Sequence, residues 1–394
     1  MTRQQRLSPK IFIAFITFMN MFPPLSTDMY LPALPEMGEH FSAESYLTAM
    51  TLTIFFFMFS VSMILFGPLS DKYGRKPILI AGSAIYTVAS VICAVSFDIY
   101  ILIIGRFFQG VGAGAVITIS TVLIKDSFSG RLMSKILAIT QALSVIGPMT
   151  APLIGGFLLR FTSWRGSFFL LTFFGLVTLA MSLLLTETLK KEERYEGNIF
   201  KSLTLLWEVG KQKIFMLTLI MFAFLSAPFM AYLSVSSFIY IEDFGLTAQE
   251  YSCFFAVNAA ASVAGPMLYM RLKKFMSNAR LLYFCFAVGA ASGILVLTVA
   301  HFGAQFFLLA FLPFTVTGST VRPFAMEVLL NRVTQNAGTA SSMINFVQTL
   351  FGSVGMMLGS LPWSNFIDGL GIIILSSVGL AILLRVGLNL LLPK

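Results

Sequence analysis

The sequence predicts an all-α integral membrane protein whose twelve transmembrane helices fall into two six-helix halves. Three observations carry that expectation. Of 394 residues, 57% are hydrophobic and 11% charged, against about 45–50% and 25% in soluble domains. The apolar residues gather in runs of about 20, the length that crosses a bilayer core. Lys and Arg concentrate in alternate connections between the runs, the mark of cytoplasmic loops. This composition excludes a cytosolic enzyme, a secreted disulfide scaffold and a nucleic-acid-binding protein. The net charge of +9 is spread over those loops and forms no single binding face.

The spans are expected near 11–33, 46–66, 78–96, 100–124, 135–159 and 166–186, then 213–240, 250–270, 280–300, 304–328, 337–360 and 366–391. The first follows Arg3, Arg6 and Lys10 as a signal peptide would. Pro23, Pro24 and Asp28 follow without a small-residue cleavage site, so it reads as a retained span. With the N-terminus in the cytoplasm, that side receives Lys72, Arg75, Lys76, Lys125, Arg131 and Lys135, then Lys190, Lys191, Arg194, Lys201, Lys211 and Lys213, and finally Arg271, Lys273, Lys274 and Arg280. The other side receives Arg160 and Arg165 while Glu36, Glu39, Glu44, Glu242, Asp243 and Glu250 gather there. Both termini are therefore expected in the cytoplasm.

Thr188 to Gln212 is the one long polar stretch. It divides the chain into an N-terminal half at 1–187, a linker at 188–212 and a C-terminal half at 213–394. Phe200, Leu203, Leu206 and Trp207 among its charges suit either an interfacial helix or a plain tether. Gly67 and Pro68 open one basic loop; Gly265 and Pro266 open another 198 residues later. That is the trace expected of two parallel repeats.

Cys93, Cys253 and Cys285 stand alone in apolar runs, and His40 and His301 are far apart. Neither a metal site nor a cofactor is indicated, and no nucleophile–base pair suggests an enzyme. Without a G-x-x-x-x-G-K-[ST] run there is no phosphate-binding loop, so any work done by the chain is expected to draw on a gradient.

Four motifs carry the mechanism. Gly67, Asp71, Gly74, Arg75, Lys76 and Pro77 form a loop that resembles the major facilitator superfamily signature, G-x-L-[SA]-D-[RK]-x-G-R-[RK]-P. The physics suits a gate: Gly74 permits a turn with positive φ, and Asp71 suits the positive N-terminus of a helix. The expected partner is the start of span eleven at Gly338, Thr339, Ala340 and Ser341. Arg106, Gln109, Gly110 and Gly112 match the superfamily's R-x-x-Q-G-x-G. A guanidinium in an apolar helix has to pair or face water, and the glycines read as close helix packing. Gly147, Pro148, Pro152, Gly155 and Gly156 in span five resemble the antiporter motif of the superfamily's exporters.

The segment from Ser26 to Pro35, with Asp28, Tyr30 and Pro32, is similar to that of the bicyclomycin and chloramphenicol resistance (Bcr/CflA) drug:proton antiporters, as are Lys125 with Asp126. The resemblance spans the chain and is strongest in the first half. It implies the major facilitator fold, proton-coupled drug efflux from a bacterial inner membrane, and a small lipophilic substrate. Some related exporters have a second acid two turns before the aspartate; Asn20 stands there instead.

Depth adds an expectation of its own. Asp28 and Arg106 each lie about 8–9 Å inside the outer boundary at 1.5 Å per residue, so they are expected to share a cavity, directly or through water, and to couple protons. One embedded acid suggests one proton per cycle. One net charge moved supplies about 2.3 kcal/mol per 100 mV, enough for roughly a fifty-fold gradient of a neutral drug. Tyr30, Gln109 and Gln141 from the first half, and Tyr232, Asn258, Asn345 and Gln348 from the second, are the expected cavity side chains. Arg322 and Glu327 on span ten suit either gating or binding. The expected partners are the lipid bilayer, protons and the substrate, with no nucleic acid, for a monomer. An exporter of a small metabolite is the competing reading on the same scaffold.

Overall fold

The computed structural model describes residues 7–190, 192, 194, 195, 197, 210–332 and 337–391; the side chains at 134, 137, 138, 141–145, 337–339 and 391 also fall outside the description. All regular structure among the described residues is helical. The chain divides into two compact units, Met1–Ser202 and Leu203–Lys394.

In the first unit, span one is three short helices: α1 (Pro9–Met19), α2 (Phe22–Asp28) and α3 (Leu34–Phe41), with a 3₁₀ turn at Leu31–Ala33. The span expected near 11–33 is thus present, as a broken helix. Pro23, Pro24, Pro32 and Pro35 lack the N–H groups that an unbroken ladder needs. Neighbouring side chains satisfy freed backbone groups, as membrane burial demands. Asn20 Nδ2 donates to the Ile16 carbonyl at 2.8 Å and to Ser120 Oγ at 2.7 Å.

The remaining helices of this unit are α4 (Ser45–Tyr73), α5 (Arg75–Ala94), α6 (Ile99–Ser127), α7 (Gly130–Leu158) and α8 (Arg165–Leu184). Gly74, at φ +102°, is the single residue between α4 and α5, a conformation that only glycine adopts without strain. Asp98 caps α6 by accepting the Tyr100 N–H at 2.7 Å. Helix α6 lies between α4 and α5. A Cβ on Gly110 would reach the Phe55 carbonyl of α4 at 2.5 Å, and one on Gly112 the Gly82 carbonyl of α5 at 2.6 Å. Along α8, Phe169, Phe173, Leu176 and Leu183 are exposed; their spacing puts them on one stripe, as suits lipid.

The second unit comprises α9 (Lys213–Phe224), α10 (Ala227–Ser237) with a π-helical turn at Phe238–Asp243, α11 (Ala248–Ser262), α12 (Ala264–Leu272), α13 (Asn278–Thr298), α14 (Ala304–Leu330), α15 (Ala337–Gly359) and α16 (Phe366–Leu391). Its core gathers Phe215, Leu219, Phe222, Leu281, Phe286 and Phe324. Thr247 and Glu250 close a reciprocal capping box at the start of α11.

Ten described helices are long and apolar enough to cross a membrane, and Ile146–Leu158 is a shorter apolar stretch. Helices α7 and α15 stand where spans five and eleven are expected, but neither is among the ten. Both are rich in Gly, Ser and Thr, which lowers hydropathy, and part of each lies outside the described side chains.

The internal repeat extends beyond the Gly-Pro loops. A Cβ on Gly155 of α7 would collide with the Met29 carbonyl after α2, and one on Gly355 of α15 with the Ala227 carbonyl at the start of α10. In each unit a glycine of the fifth span seats the broken first span.

Gly112→Val is expected to destabilise the protein by about 1–3 kcal/mol through overpacking, read as a lower Tm in detergent. Gly379→Ala, whose Cβ meets nothing within 4 Å, is expected to leave Tm unchanged or raise it.

Candidate functional site: a buried arginine, a buried acid and the signature loop

Arg106 of α6 is fully buried. Nε donates to the Thr51 carbonyl of α4 at 3.1 Å and Nη1 to the Ser26 carbonyl of α2 at 2.9 Å. Nη1 also donates to Gln109 Oε1, one turn along α6. Aromatic rings pack around the guanidinium, with centroids at 4.2 Å for Phe55, 4.7 Å for Tyr30 and 6.0 Å for Phe168. These faces give the cation partial compensation for lost water. Gln109 is fully buried and its Nε2 donates to Ser90 Oγ at 2.7 Å. Its expected place in the cargo cavity is therefore corrected: both ends of its amide are engaged in holding Arg106.

Asp28, the last residue of α2, is 4% exposed. Its Oδ1 lies 2.8 Å from Thr27 Oγ1. No ion pair joins it to Arg106, which reaches span one at the Ser26 carbonyl instead. Of the two expected arrangements, direct or through water, the direct one is absent here, and the two groups are anchored on one backbone segment. The reason is geometric: the guanidinium is occupied by carbonyls freed around the break in span one. Ser26 itself is held through its hydroxyl, 2.6 Å from Tyr86 Oη.

The antiporter motif brackets this segment. A Cβ on Gly147 would lie 2.6 Å from Pro24 Cγ, and Gly155 abuts the Met29 carbonyl, so the two glycines stand either side of Asp28. Pro148 and Pro152 lie inside α7; Pro152 and Gly156 are buried.

Among the other expected cavity side chains, Tyr30 is fully buried with Oη 3.1 Å from Thr51 Oγ1. Tyr232 is fully buried, its ring stacked on Phe311 at 4.3 Å. Asn258 is buried and accepts from Thr315 Oγ1 at 2.7 Å. These three are therefore packed within their units and do not line open space. Asn345 and Gln348 are partly exposed, and Gln141 lies outside the described side chains.

The signature loop is a charge cluster. Arg75 Nη1 binds Asp71 Oδ1 at 2.5 Å and Ser70 Oγ at 2.7 Å, while Nε binds Asp126 Oδ2 at the end of α6 at 3.1 Å. Asp71 is thus held within its own loop; at its expected partner, the start of span eleven, Gly338 and Thr339 lie outside the described side chains. Lys76 Nζ donates to the Leu183 carbonyl at 2.8 Å. Glu187, just after α8, accepts the N–H groups of Arg75 and Lys76 at 2.9 and 3.1 Å. A carboxylate on the positive end of α5 is favourable there. Sequence reasoning missed Glu187; its signal was an acid placed where basic residues dominate. Gly67 has nothing within 4 Å of its would-be Cβ.

In the second unit Glu327 Oε1 pairs with Lys273 Nζ at 2.5 Å, and its Oε2 accepts from Tyr269 Oη. Glu327 therefore ties α14 to the end of α12, in the manner of Asp126 with Arg75. Arg322 is exposed and has no hydrogen bond or ion pair among the described residues.

Residues 12–356 match the Major Facilitator Superfamily. The chain is 28% identical to the "Uncharacterized MFS-type transporter YdgK" of Bacillus subtilis over 90% of its own length and 88% of the relative's. It is 28% identical to the "Bicyclomycin resistance protein homolog" of Haemophilus influenzae over 92% of each chain, and 25% identical to the "Multidrug resistance protein MdtL" of a Shewanella species over 82% of each. Among solved structures, the D-xylose-proton symporter superposes with a TM-score of 0.72 at 14% identity, covering 94% of this chain and 96% of that one. At that identity the likeness speaks for the fold.

Arg106→Lys replaces a planar fork by a point charge that cannot meet carbonyls and rings together. A loss of about 2 kcal/mol or more is expected, seen as a collapse of the detergent-stable fraction. Glu187→Gln removes the anion from the start of α5 and is expected to cost about 1 kcal/mol, with a lowered Tm that high salt brings closer to wild type.

Proposed function

The chain belongs to the Major Facilitator Superfamily, and we propose that within it the protein is a proton-coupled exporter of small lipophilic drugs. The observation that carries this reading is the seat of the antiporter-motif glycines, Gly147 on Pro24 and Gly155 on Met29. They flank Asp28, the only buried acid among the described residues. Proton coupling in an exporter needs an ionisable group placed where the moving helices meet, and intramembrane acids are functional candidates for that reason. Relatives named for bicyclomycin and multidrug resistance over most of their length support drugs as the cargo class.

In this reading Asp28 carries the proton, and Arg106 holds the Asp28 segment without neutralising the acid. The signature loop, cross-tied by Arg75, Asp126 and Glu187, forms the inner latch of its unit. Arg322, Asn345 and Gln348 are the accessible polar groups offered to electronegative atoms of a neutral cargo. The excess of Lys and Arg in alternate loops supports a reading with both termini on the cytoplasmic side of a bacterial inner membrane, for a transporter acting as a monomer.

The test is drug accumulation in an efflux-deficient bacterium expressing wild type or Asp28→Asn, over neutral amphenicol-like, aromatic and cationic compounds. Wild type is expected to lower accumulation of neutral compounds several-fold; a protonophore or Asp28→Asn is expected to abolish the difference. Unchanged accumulation of every compound, with the protein confirmed in the membrane, would overturn the export reading.

A further inference from the structure

We propose that the hydroxyl of Thr27 reads the protonation state of Asp28 and passes it to the backbone of span one at Pro23. This rests on the proposed proton-coupled export and deepens it by naming how the proton is felt.

The inference follows from counting hydrogens. Three oxygens stand in a row: the Pro23 carbonyl, Thr27 Oγ1 and Asp28 Oδ1. Both gaps are 2.8 Å. The Thr27 hydroxyl is within donating distance of both neighbours, but its one hydrogen serves one of them in full, and the other contact is favourable only if its partner supplies a hydrogen. The Thr27 hydroxyl supplies one, a carbonyl supplies none, and an ionised carboxylate only accepts. The second hydrogen therefore belongs to Asp28. The arrangement is that of the neutral acid, whose O–H donates to Thr27 while Thr27 donates to Pro23.

No neighbouring charge intervenes. The ionisable groups facing the segment are Arg106 from α6, Tyr86 and Cys93 from α5, and Tyr30 on the segment itself. Arg106 is engaged by Thr51, Ser26 and Gln109. Tyr86 is engaged by Ser26, and Tyr30 by Thr51. Cys93 Sγ points to the Leu102 carbonyl. From α7, the apolar stretch Ile146–Leu158 brings no ionisable side chain, and α8 brings Phe168 against Tyr30. On α3, Glu36 accepts from the Trp164 N–H. None of these bonds to the Asp28 carboxyl.

When Asp28 gives up its proton to water, only its own O–H bond breaks. Two acceptors, the Pro23 carbonyl and the Asp28 carboxylate, then compete for the one hydroxyl hydrogen. The charged acceptor wins, because a charge-assisted bond is about twice as strong as a neutral one. The hydroxyl turns to Asp28 and leaves Pro23. That carbonyl precedes Pro24, the residue on which Gly147 of α7 sits, so proton release is converted into a change at the seat between span one and span five. Thr27 is thus a positioning residue acting through Asp28.

The test uses the purified full chain in lipid vesicles, with Thr27→Val, which keeps shape and loses the hydroxyl, and Thr27→Ser, which restores it. Infrared difference spectra across a pH titration isolate the carbonyl band of protonated Asp28 as the band lost in Asp28→Asn. Thr27→Val is expected to raise that band to the frequency of an acid without an acceptor, and Thr27→Ser to return it. The pH midpoint of the band, and of efflux, is expected to move upward in Thr27→Val by about half a unit, roughly threefold in proton occupancy, since the bond lost is the stronger one to the carboxylate. Identical band and midpoint in wild type and Thr27→Val would overturn the relay. Thr27→Ala serves if the valine variant fails to fold. A band that responds to Thr27 in a protein that exports none of the drugs would support the relay and overturn the export reading alone.

Discussion

A guanidinium buried among apolar helices is the constraint around which the first unit is arranged. Leaving it unpaired there would cost several kcal/mol, so its surroundings have to converge on it. Arg106 draws the end of α2 and the second turn of α4 to one point through the carbonyls of Ser26 and Thr51, and reaches α5 through Gln109 and Ser90. The break in span one, the ring pair of Tyr30 and Phe55, and the close approach of α6 to its neighbours all serve that convergence. Asp28 inherits its position from this tie: it stands two residues after the carbonyl that the arginine holds, and no ion pair joins the two.

The architecture was legible because membrane burial forces a coarse code. Twenty-residue apolar runs, alternate basic loops and the glycine-rich motifs need no side-chain geometry to be read. Gly74 was legible for the same reason, since only a positive φ explains a glycine at that turn. The partners inside the site were not. Arg106 finds main-chain carbonyls, which every residue owns and no sequence pattern marks, so proximity in depth suggested Asp28 as its partner. Gln109, Tyr30 and Asn258 look like cavity residues by polarity alone, yet each is spent on a neighbour. Glu187 was missed because its role depends on the N-terminus of α5, 112 residues earlier.

The two units repeat one plan and then specialise. The tie of Arg75 to Asp126 has its counterpart in Lys273 with Glu327, and the Gly155 seat in that of Gly355. In those same registers, Ser226 stands where Asp28 would be and Phe307 where Arg106 would be. The second unit has a hydroxyl in place of the acid and a ring in place of the guanidinium: Phe307 packs against Tyr232, Tyr240 and Phe311. The frame is shared, whereas the buried Asp28 and Arg106 have no charged counterpart at these two registers.

Because Arg106 is held by carbonyls, the side chains at 26 and 51 are not what it recognises. The Ser26 and Thr51 hydroxyls have partners of their own in Tyr86 and Tyr30, so those positions answer to their local packing and not to the guanidinium, while position 106 answers to both. The asymmetry bears on descent: a lineage can exchange the Ser26–Tyr86 and Thr51–Tyr30 pairs for other well-packed pairs without ever passing through a form that has lost its anchor.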